Sequence, residues 1–138
     1  MKLLVVRHGR TASNAAGRYQ GSIDTDLDEV GLAQAQALDG ALPPDLELVV
    51  CPPLRRARRT AEIFAAARGL PLATDGAFRE RSVGVFEGLT APEARERYPA
   101  LWARDVTRRW DDAPPGGESI GALFERLAPA LAALRDAH

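Results

Sequence analysis

Residues 3–11 read Leu3-Leu4-Val5-Val6-Arg7-His8-Gly9-Arg10-Thr11. The apolar run at the start predicts a buried strand over residues 2–6, and an arginine and a histidine follow where that strand would end. In open α/β sheets, ligands bind in the crevice beyond the carboxyl ends of the strands. The stretch therefore predicts an α/β sheet that carries Arg7 and His8 at its ligand-binding edge.

The residue types that follow the strand suit chemistry on a phosphoryl group. A neutral imidazole such as that of His8 can attack phosphorus through one ring nitrogen while a hydrogen bond to the other nitrogen fixes the tautomer. The guanidinium of Arg7 offers paired donors that match two phosphate oxygens. Thr11 and Asn14 can add neutral hydrogen bonds to the anion. The alternative is an Arg-His pair that only caps a strand end, and six residues alone do not separate the two interpretations.

A second strand-to-helix switch also carries arginines. The pattern predicts a strand over residues 46–50 and a helix over residues 53–68, which begins at prolines. At about 100° per residue, Arg55 and Arg59 lie opposite the apolar face of this helix. We interpret both as solvated. Arg56 lies in the first turn, where free amides and the helix dipole favour an anion, and we interpret it as a phosphate ligand.

A third segment, residues 78–88, supplies carboxylates between glycine-punctuated apolar patches. Phosphoryl transfer from an ester needs a proton for the leaving alkoxide, and a carboxyl group can supply it. Glu80 is the candidate. Arg79 and Arg81 flank it, so a surface ion pair is the alternative interpretation.

The remaining pattern alternates strands and helices early, which indicates an α/β sheet wound by right-handed crossovers. It predicts a helix over 28–42, an end of the 53–68 helix at Gly69, and a short strand over 70–74. A further helix is expected to begin at the Thr90 capping box and to end before Pro99, and another is expected over about 99–110. The last helix is expected to begin near Ser119 and to bend at Pro129. Asp24, Asp26 and Asp28 are interpreted as turn and cap residues rather than magnesium ligands.

Composition agrees with one domain over residues 1–138, because 46% of the residues are hydrophobic and no composition break divides the chain. The net charge of −1 does not favour nucleic acid or an acidic membrane surface as a partner. A single cysteine, Cys51, cannot form an internal disulfide, which fits a reducing compartment, and we expect a cytoplasmic protein. Two histidines and one cysteine are too few for a typical zinc site, and no nucleotide-binding Gly-Lys loop is present. No metal and no cofactor are expected.

Taken together, these segments resemble the histidine phosphatase superfamily, in the branch that contains cofactor-dependent phosphoglycerate mutase and small-molecule phosphatases such as the α-ribazole phosphatase. The resemblance covers nearly the whole chain. Its motifs occur in the order Arg7-His8-Gly9, Tyr19-Gln20-Gly21 with Asp24 and Leu27, the helix from Gly31 to Gln36, Leu54-Arg55-Arg56-Ala57 to Thr60-Ala61, Glu80 to Gly88, and Pro115-Gly116-Gly117-Glu118-Ser119. It implies a three-layer α/β sandwich with a mostly parallel central sheet, as in phosphoglycerate mutase, shortened at the C-terminus.

The resemblance also implies roles for individual residues of this chain. They are His8 as the residue that becomes phosphorylated, Glu80 as the proton donor, Arg7 and Arg56 as phosphate ligands with help from Asn14, and Gln20 and Gly21 near the organic part of the substrate. With Thr11 added from its residue type, these form the predicted site.

The chain departs from the family pattern at two places. Arg10 stands where the family usually has glutamate or glutamine, which makes the mouth of the site more cationic. The chain ends at His138, before the strand and second histidine-glycine motif that complete the family's phosphate pocket, and His138 closes a helical segment, so it is not assigned that role. Because the absent strand would lie beside the one that carries His8, we expect pairing with a second chain as in a homodimer, rearrangement of the sheet, or an incomplete product.

The expected function is that of a metal-independent phosphomonoesterase that acts on a small phosphorylated metabolite through a phosphohistidine. One alternative is phosphoryl transfer of the phosphoglycerate mutase type. Thr11 in place of serine and the short region between Glu80 and Ser119 resemble the phosphatases more than the mutases. The other alternative is a truncated phosphate-binding protein with little or no activity.

Overall fold

The computed structural model of the protein describes residues 2–138. Its helices and strands, in chain order, are α1 (Ala12–Ala15), α2 (Glu29–Ala41), β1 (Val49–Cys51), α3 (Arg55–Arg68), β2 (Leu72–Thr74), α4 (Ala91–Arg97), α5 (Pro99–Ala103) and α6 (Ile120–Ala137). Short 3₁₀ turns occupy Gly76–Phe78, Gly84–Phe86 and Val106–Arg108.

The chain divides into two compact units, and each is built from separate segments of sequence. The first unit contains residue 2, residues 16–23 and residues 80–138. The second contains residues 3–15 and 24–79. A single domain over residues 1–138 stays a prediction.

The second unit contains a parallel strand-helix-strand motif. Strands β1 and β2 pair in parallel, with Val49 opposite Leu72 and Cys51 opposite Thr74, and α3 is the crossover between them. Gly69 ends α3 in a left-handed conformation with φ of 64°, as its sequence position predicts. The predicted α/β class with a parallel sheet is therefore confirmed. Strand β1 is shorter than the strand predicted over residues 46–50, and it begins three residues later in the sequence.

The predicted buried strand over residues 2–6 is wrong in this structure. The side chains of residues 3–6 are all exposed, and Val5 is 90% exposed. In the described residues the sheet has two strands, β1 and β2. A strand becomes buried only when neighbouring strands pair with its backbone and other layers cover its faces. Apolar composition alone does not supply those partners.

Helices whose ends carry local signals begin and end close to where the sequence predicts. Asp28 caps α2 by accepting a hydrogen bond from the amide of Gly31. Thr90 and Glu93 form the predicted capping box at the start of α4. Ser119 caps α6, and Pro129 lies inside that helix; the predicted bend at this proline stays a prediction.

The helix predicted over about 99–110 is too long. Helix α5 ends at Ala103, and Asp105 adopts a left-handed conformation with φ of 50°. This conformation cannot continue a right-handed helix, and a 3₁₀ turn follows at Val106–Arg108. The core of the first unit forms around the buried side chains of Phe86, Ala94 and Val106.

Among residues 2–138, none of the helices combines the length and the apolar composition that crossing a membrane would need.

Candidate active site

The imidazole of His8 is oriented by the backbone of the next residue. Its Nδ1 atom lies 2.7 Å from the carbonyl oxygen of Gly9. Because a carbonyl oxygen can only accept, Nδ1 carries the proton, and in the neutral ring the lone pair lies on Nε2. This is the tautomer that nucleophilic attack through Nε2 requires.

Two helices of the second unit hold the loop around His8. The amide of Gly9 donates to Oγ1 of Thr60 over 3.0 Å, and that hydroxyl donates to the carbonyl oxygen of Arg56 over 2.8 Å. The amide of Arg10 donates to Oε1 of Gln34 over 2.8 Å. The loop is thus fixed to α3 through Thr60 and to α2 through Gln34. Sequence reasoning assigned no role to either residue, although both lie within the motifs that it singled out.

Close packing against α2 explains two glycines. A Cβ atom on Gly9 would overlap the carbonyl oxygen of Gly31, and a Cβ atom on Gly31 would overlap that of Arg10. Because backbone atoms are in contact at both places, a side chain on either glycine would push the loop away from the helix. Gly9 and Gly31, which belong to two separate motifs of the sequence, therefore allow their two backbone segments to approach each other closely.

A cavity of about 330 Å³ opens beside this loop. Its lining residues are Arg7, His8, Gly9, Arg10, Asn14, Gln34, Ala35, Leu38 and Thr60. The volume is in the range of small-ligand pockets. The lining combines cationic and amide groups with apolar side chains of α2, so it suits an anionic group attached to a small organic moiety.

Thr11 and Asn14 form a reciprocal cap at the start of α1. Oδ1 of Asn14 accepts from the amide and the hydroxyl of Thr11, each over 3.1 Å, and Oγ1 of Thr11 accepts from the amide of Asn14 over 3.2 Å. The carboxamide nitrogen of Asn14 therefore carries the donors that an anion could use. Thr11 is 0% exposed. Its geometry assigns it to orienting Asn14, and its direct contact with an anion stays a prediction.

Arg56 is the buried arginine of α3. Its side chain is 1% exposed, while Arg55 and Arg59 are exposed as predicted. Asp24 accepts from the amide of Arg55 over 2.6 Å, and thereby caps the start of α3, where Leu54 offers no side-chain cap. A guanidinium in a low-dielectric environment attracts an anion more strongly than one in water does. Arg56 is not among the residues that line the cavity beside His8, and its role as a phosphate ligand stays a prediction.

Arg10 does not add an unbalanced charge to the cavity mouth. Its Nε atom pairs with Oδ2 of Asp28 over 2.8 Å. The hydrogen bond from the Gly31 amide lowers the pKa of Asp28. Burial acts to raise this pKa, and the hydrogen bond and charge of Arg10 act to lower it further. A neighbouring carboxylate thus pairs with Arg10, and the expectation that this arginine makes the mouth more cationic than a glutamate or glutamine would stays a prediction.

Glu80 belongs to the first unit and is exposed, and its role as the proton donor stays a prediction. Its Oε1 atom accepts from the amide of Arg81 over 2.8 Å. The guanidinium of Arg81 donates to the carbonyl oxygens of Thr107 and Glu118 over 2.7 and 3.0 Å. Arg81 thus serves the backbone of its unit rather than a surface ion pair with Glu80.

Gln20 and Gly21, also in the first unit, are both buried. Gly21 has φ of 50°, and a Cβ atom there would overlap the Glu87 carboxylate. That carboxylate accepts hydrogen bonds from four donors, which are the amide and hydroxyl of Ser22, the hydroxyl of Ser82 and the amide of Val83. Glu87 therefore joins the segment after Gln20 to the segment after Glu80. Sequence reasoning missed this role, because alternation along one segment does not reveal donors on another.

These hydrogen bonds give a pH-dependent stability. Burial acts to raise the pKa of Glu87, but the hydrogen bonds from Ser22, Ser82 and Val83 outweigh it and lower that pKa. A carboxyl whose folded pKa lies below the unfolded value of about 4.3 stabilises the fold above that pH, and the contribution is lost as the pH falls through the folded pKa. We expect Glu87→Gln to melt at a lower temperature than the wild type at pH 7.

The melting-temperature difference is expected to shrink as the pH falls below the unfolded value and through the lowered pKa of Glu87, where the wild-type carboxyl itself takes up a proton. Thermal melts followed by circular dichroism at a series of pH values measure this. Glu96→Gln, at an exposed position of α4, is the matched control and should melt like the wild type throughout. A difference between Glu87→Gln and the wild type that does not vary with pH would contradict the prediction.

Comparison with known proteins agrees with this geometry. The family model of the histidine phosphatase superfamily (branch 1) matches residues 3–138. The chain is 38% identical over 141 residues to phosphoglycerate mutase-like protein 4 of Arabidopsis thaliana, covering 99% of this chain and 61% of the relative. It is 33% identical over 144 residues to phosphoserine phosphatase 1 of Hydrogenobacter thermophilus, covering 100% of this chain and 66% of the relative.

Solved structures give the same result. A mycobacterial glucosyl-3-phosphoglycerate phosphatase in complex with VO3 superposes with a TM-score of 0.87 at 33% identity, over 95% of this chain and 63% of that one. A mycobacterial hydrolase 1 superposes with a TM-score of 0.85 at 34% identity, over 94% and 62%. The phosphoglycerate mutase-like α/β fold is therefore confirmed. The chain spans about three fifths to two thirds of the length of these relatives.

Proposed function

Because this chain belongs to the histidine phosphatase superfamily, we propose that it is a metal-independent phosphomonoesterase that forms a phosphohistidine at His8. One observation carries the proposal. The hydrogen bond from Nδ1 of His8 to the Gly9 carbonyl oxygen leaves the lone pair of the neutral ring on Nε2, and this ring lines a cavity with two arginines.

The proposed reaction has two steps. In the first, Nε2 of His8 forms a bond to phosphorus, the bond from phosphorus to the ester oxygen breaks, and Glu80 gives a proton to the leaving alkoxide. In the second, the Glu80 carboxylate takes a proton from water, the water oxygen bonds to phosphorus, and the bond between phosphorus and nitrogen breaks. Arg7, Arg56 and Asn14 would bind the phosphate oxygens in both steps.

The cavity and the relatives together favour a small phosphorylated metabolite as substrate. Ala35 and Leu38 supply apolar surface beside the cationic groups. Two relatives are named as phosphatases of phosphoserine and of glucosyl-3-phosphoglycerate. Both esters are therefore the first substrates to assay. The two names differ in the organic part of the substrate, so these two esters are the first members of a wider set of phosphate esters to assay.

The test is hydrolysis of p-nitrophenyl phosphate, phosphoserine and glucosyl-3-phosphoglycerate by the 138-residue chain in the presence of a chelator. Release of inorganic phosphate without metal, together with an acid-labile phosphoprotein trapped by rapid quenching, supports the proposal. Hydrolysis that stops on chelation would contradict it.

A mutase is the second candidate, because one relative carries the name phosphoglycerate mutase-like protein. Incubation with 3-phosphoglycerate separates the two activities, since a mutase forms 2-phosphoglycerate whereas a phosphatase releases free phosphate. A third outcome, vanadate binding without turnover of any ester, would favour a phosphate-binding protein with little or no activity.

Glu80→Gln should slow the hydrolysis of esters with poor leaving groups more than that of p-nitrophenyl phosphate. A glutamine cannot give a proton to the leaving oxygen, and the p-nitrophenolate needs none. Loss of general acid catalysis typically costs about 10²- to 10⁴-fold in rate. Because Glu80 also acts in the second step, which both esters share, the comparison uses kcat/KM, which reports the step that expels the leaving group. The kcat/KM values for p-nitrophenyl phosphate and for an alkyl phosphate measure the difference, with Glu47→Gln at an exposed position as the matched control. An equal fall in kcat/KM for both esters would show that Glu80 is not the acid.

Three further features of the chain bear on its assembly, location and partners. The exposed apolar side chains of residues 3–6 favour a homodimer over a monomer. Cys51 is a buried free thiol, which is compatible with a cytoplasmic location. The net charge of −1 favours a small metabolite over nucleic acid or a membrane surface as partner.

A further inference from the structure

One peptide group next to His8 is held at both ends. Its carbonyl oxygen, from Gly9, accepts from Nδ1 of His8 over 2.7 Å. Its amide, from Arg10, donates to Oε1 of Gln34 over 2.8 Å. Because a peptide group is planar, the direction of its N–H fixes the direction of its C=O. Gln34 therefore sets the orientation of the carbonyl that receives the His8 proton.

The same hydrogen bond changes the strength of that carbonyl as an acceptor. Hydrogen bonds in a chain polarise one another, so an acceptor on the N–H of a peptide group makes its C=O a better acceptor. A better acceptor at the Gly9 carbonyl favours the His8 tautomer with the proton on Nδ1. Both effects of Gln34, on orientation and on acceptor strength, act in the same direction.

The surroundings allow this peptide group little other freedom. Thr60 accepts from the preceding amide, that of Gly9, over 3.0 Å. On the side of α2, the backbone of Gly31 lies so close that a Cβ atom on Gly9 would overlap it. The loop is thus held by three separate contacts, and Gln34 supplies the one that acts on the carbonyl beside the imidazole.

We propose that Gln34 is a positioning residue for His8, which acts through the peptide group between Gly9 and Arg10 to keep the lone pair of the imidazole on Nε2. This inference deepens the proposed function, since it rests on His8 as the nucleophile. Gln34 also lines the cavity, so direct contact with the substrate is the competing role. The two roles differ in which kinetic constant they control.

The kinetic test compares three variants with the wild type. Gln34→Met removes the acceptor but keeps the length and helix propensity of the side chain, and because residue 34 is exposed the variant should fold. Gln34→Glu keeps an acceptor oxygen for the amide of Arg10. Gln36→Met is the matched control at an exposed position of the same helix.

We expect Gln34→Met to lower the rate at which the phosphoprotein forms from saturating p-nitrophenyl phosphate, followed by rapid quenching, about two- to tenfold, the range of one ordinary hydrogen bond. The ester concentration that gives half of this rate should not change. Gln34→Glu should restore most of the rate, and Gln36→Met should match the wild type. A higher half-saturating concentration with an unchanged rate at saturation in Gln34→Met would overturn the proposal in favour of a direct contact with the substrate.

A spectroscopic test does not depend on activity. The chain has two histidines, so nitrogen-15 NMR of the wild type and of His138→Ala assigns the ring nitrogens of His8. We expect the proton on Nδ1 in the wild type and in Gln34→Glu, and a mixture of tautomers in Gln34→Met. The same tautomer in all three proteins would overturn the proposal. If the chain hydrolyses no ester, the proposed function fails, and the tautomer measurement still decides the role of Gln34.

Discussion

The His8→Ala variant is expected to lose hydrolysis of p-nitrophenyl phosphate by about 10⁴-fold or more, the scale seen when a catalytic nucleophile is removed. Without the imidazole no bond between nitrogen and phosphorus can form, and the remaining groups can only bind the ester. The measurement is the initial rate without added metal for both proteins side by side, with rapid-quench trapping of the phosphoprotein.

The chain provides its own control for this substitution. His138 is exposed at the end of α6, and His138→Ala should keep the wild-type rate and the trapped phosphoprotein. His8 is partly buried, so thermal melts of both variants show whether the loss reflects unfolding. Activity retained by a folded His8→Ala variant would refute the phosphohistidine mechanism.

The second large effect is expected at Arg56. Its buried guanidinium is the proposed partner of the phosphate oxygens, and removal of one preorganised donor to a developing anion typically costs about 10²- to 10³-fold in kcat. Arg56→Ala should therefore weaken binding of vanadate and slow hydrolysis by that factor. Arg56→Lys should recover only part of the loss, because an ammonium group cannot offer paired planar donors. Calorimetric titration with vanadate and steady-state kinetics measure both.

Arg59→Ala is the matched control, since Arg59 lies on the same helix and is exposed. It should bind vanadate like the wild type. Arg56 is 1% exposed, so its loss can also destabilise the fold, and circular dichroism at the temperature of the titration keeps the two effects apart. Unchanged vanadate affinity in a folded Arg56→Ala protein would remove Arg56 from the proposed site.

Several helix ends could be predicted from the sequence because their signals are local. The Thr90 and Glu93 capping box, the Asp28 cap and the left-handed Gly69 each depend on residues within one turn of the helix end. The prediction of a helix over about 99–110 was wrong because no such local signal marks the point where the helix ends. Its apolar spacing is helical, but Asp105 adopts a left-handed conformation that spacing does not reveal.

The segment over residues 2–6 shows that a local sequence pattern does not predict burial. Its apolar run predicts a buried strand, yet its side chains are exposed, because burial of a strand depends on what pairs with it and covers it. Arg10 shows the same limit for charge, because a sequence motif does not reveal the partner of its cation. The guanidinium of Arg10 pairs with Asp28, eighteen positions later in the chain.

The sequence by itself determined the chemical groups of this protein and their order, with an imidazole after an apolar run and an arginine in the first turn of a helix. It also determined the α/β class, since periodicity and caps act within a few residues. Only the tertiary structure decided that the Gly9 carbonyl takes the His8 proton and that Gln34 and Thr60 hold the loop. The contacts of Gln34 and Thr60 join residues 24 and 51 positions apart, and their formation depends on how α2 and α3 pack against the loop.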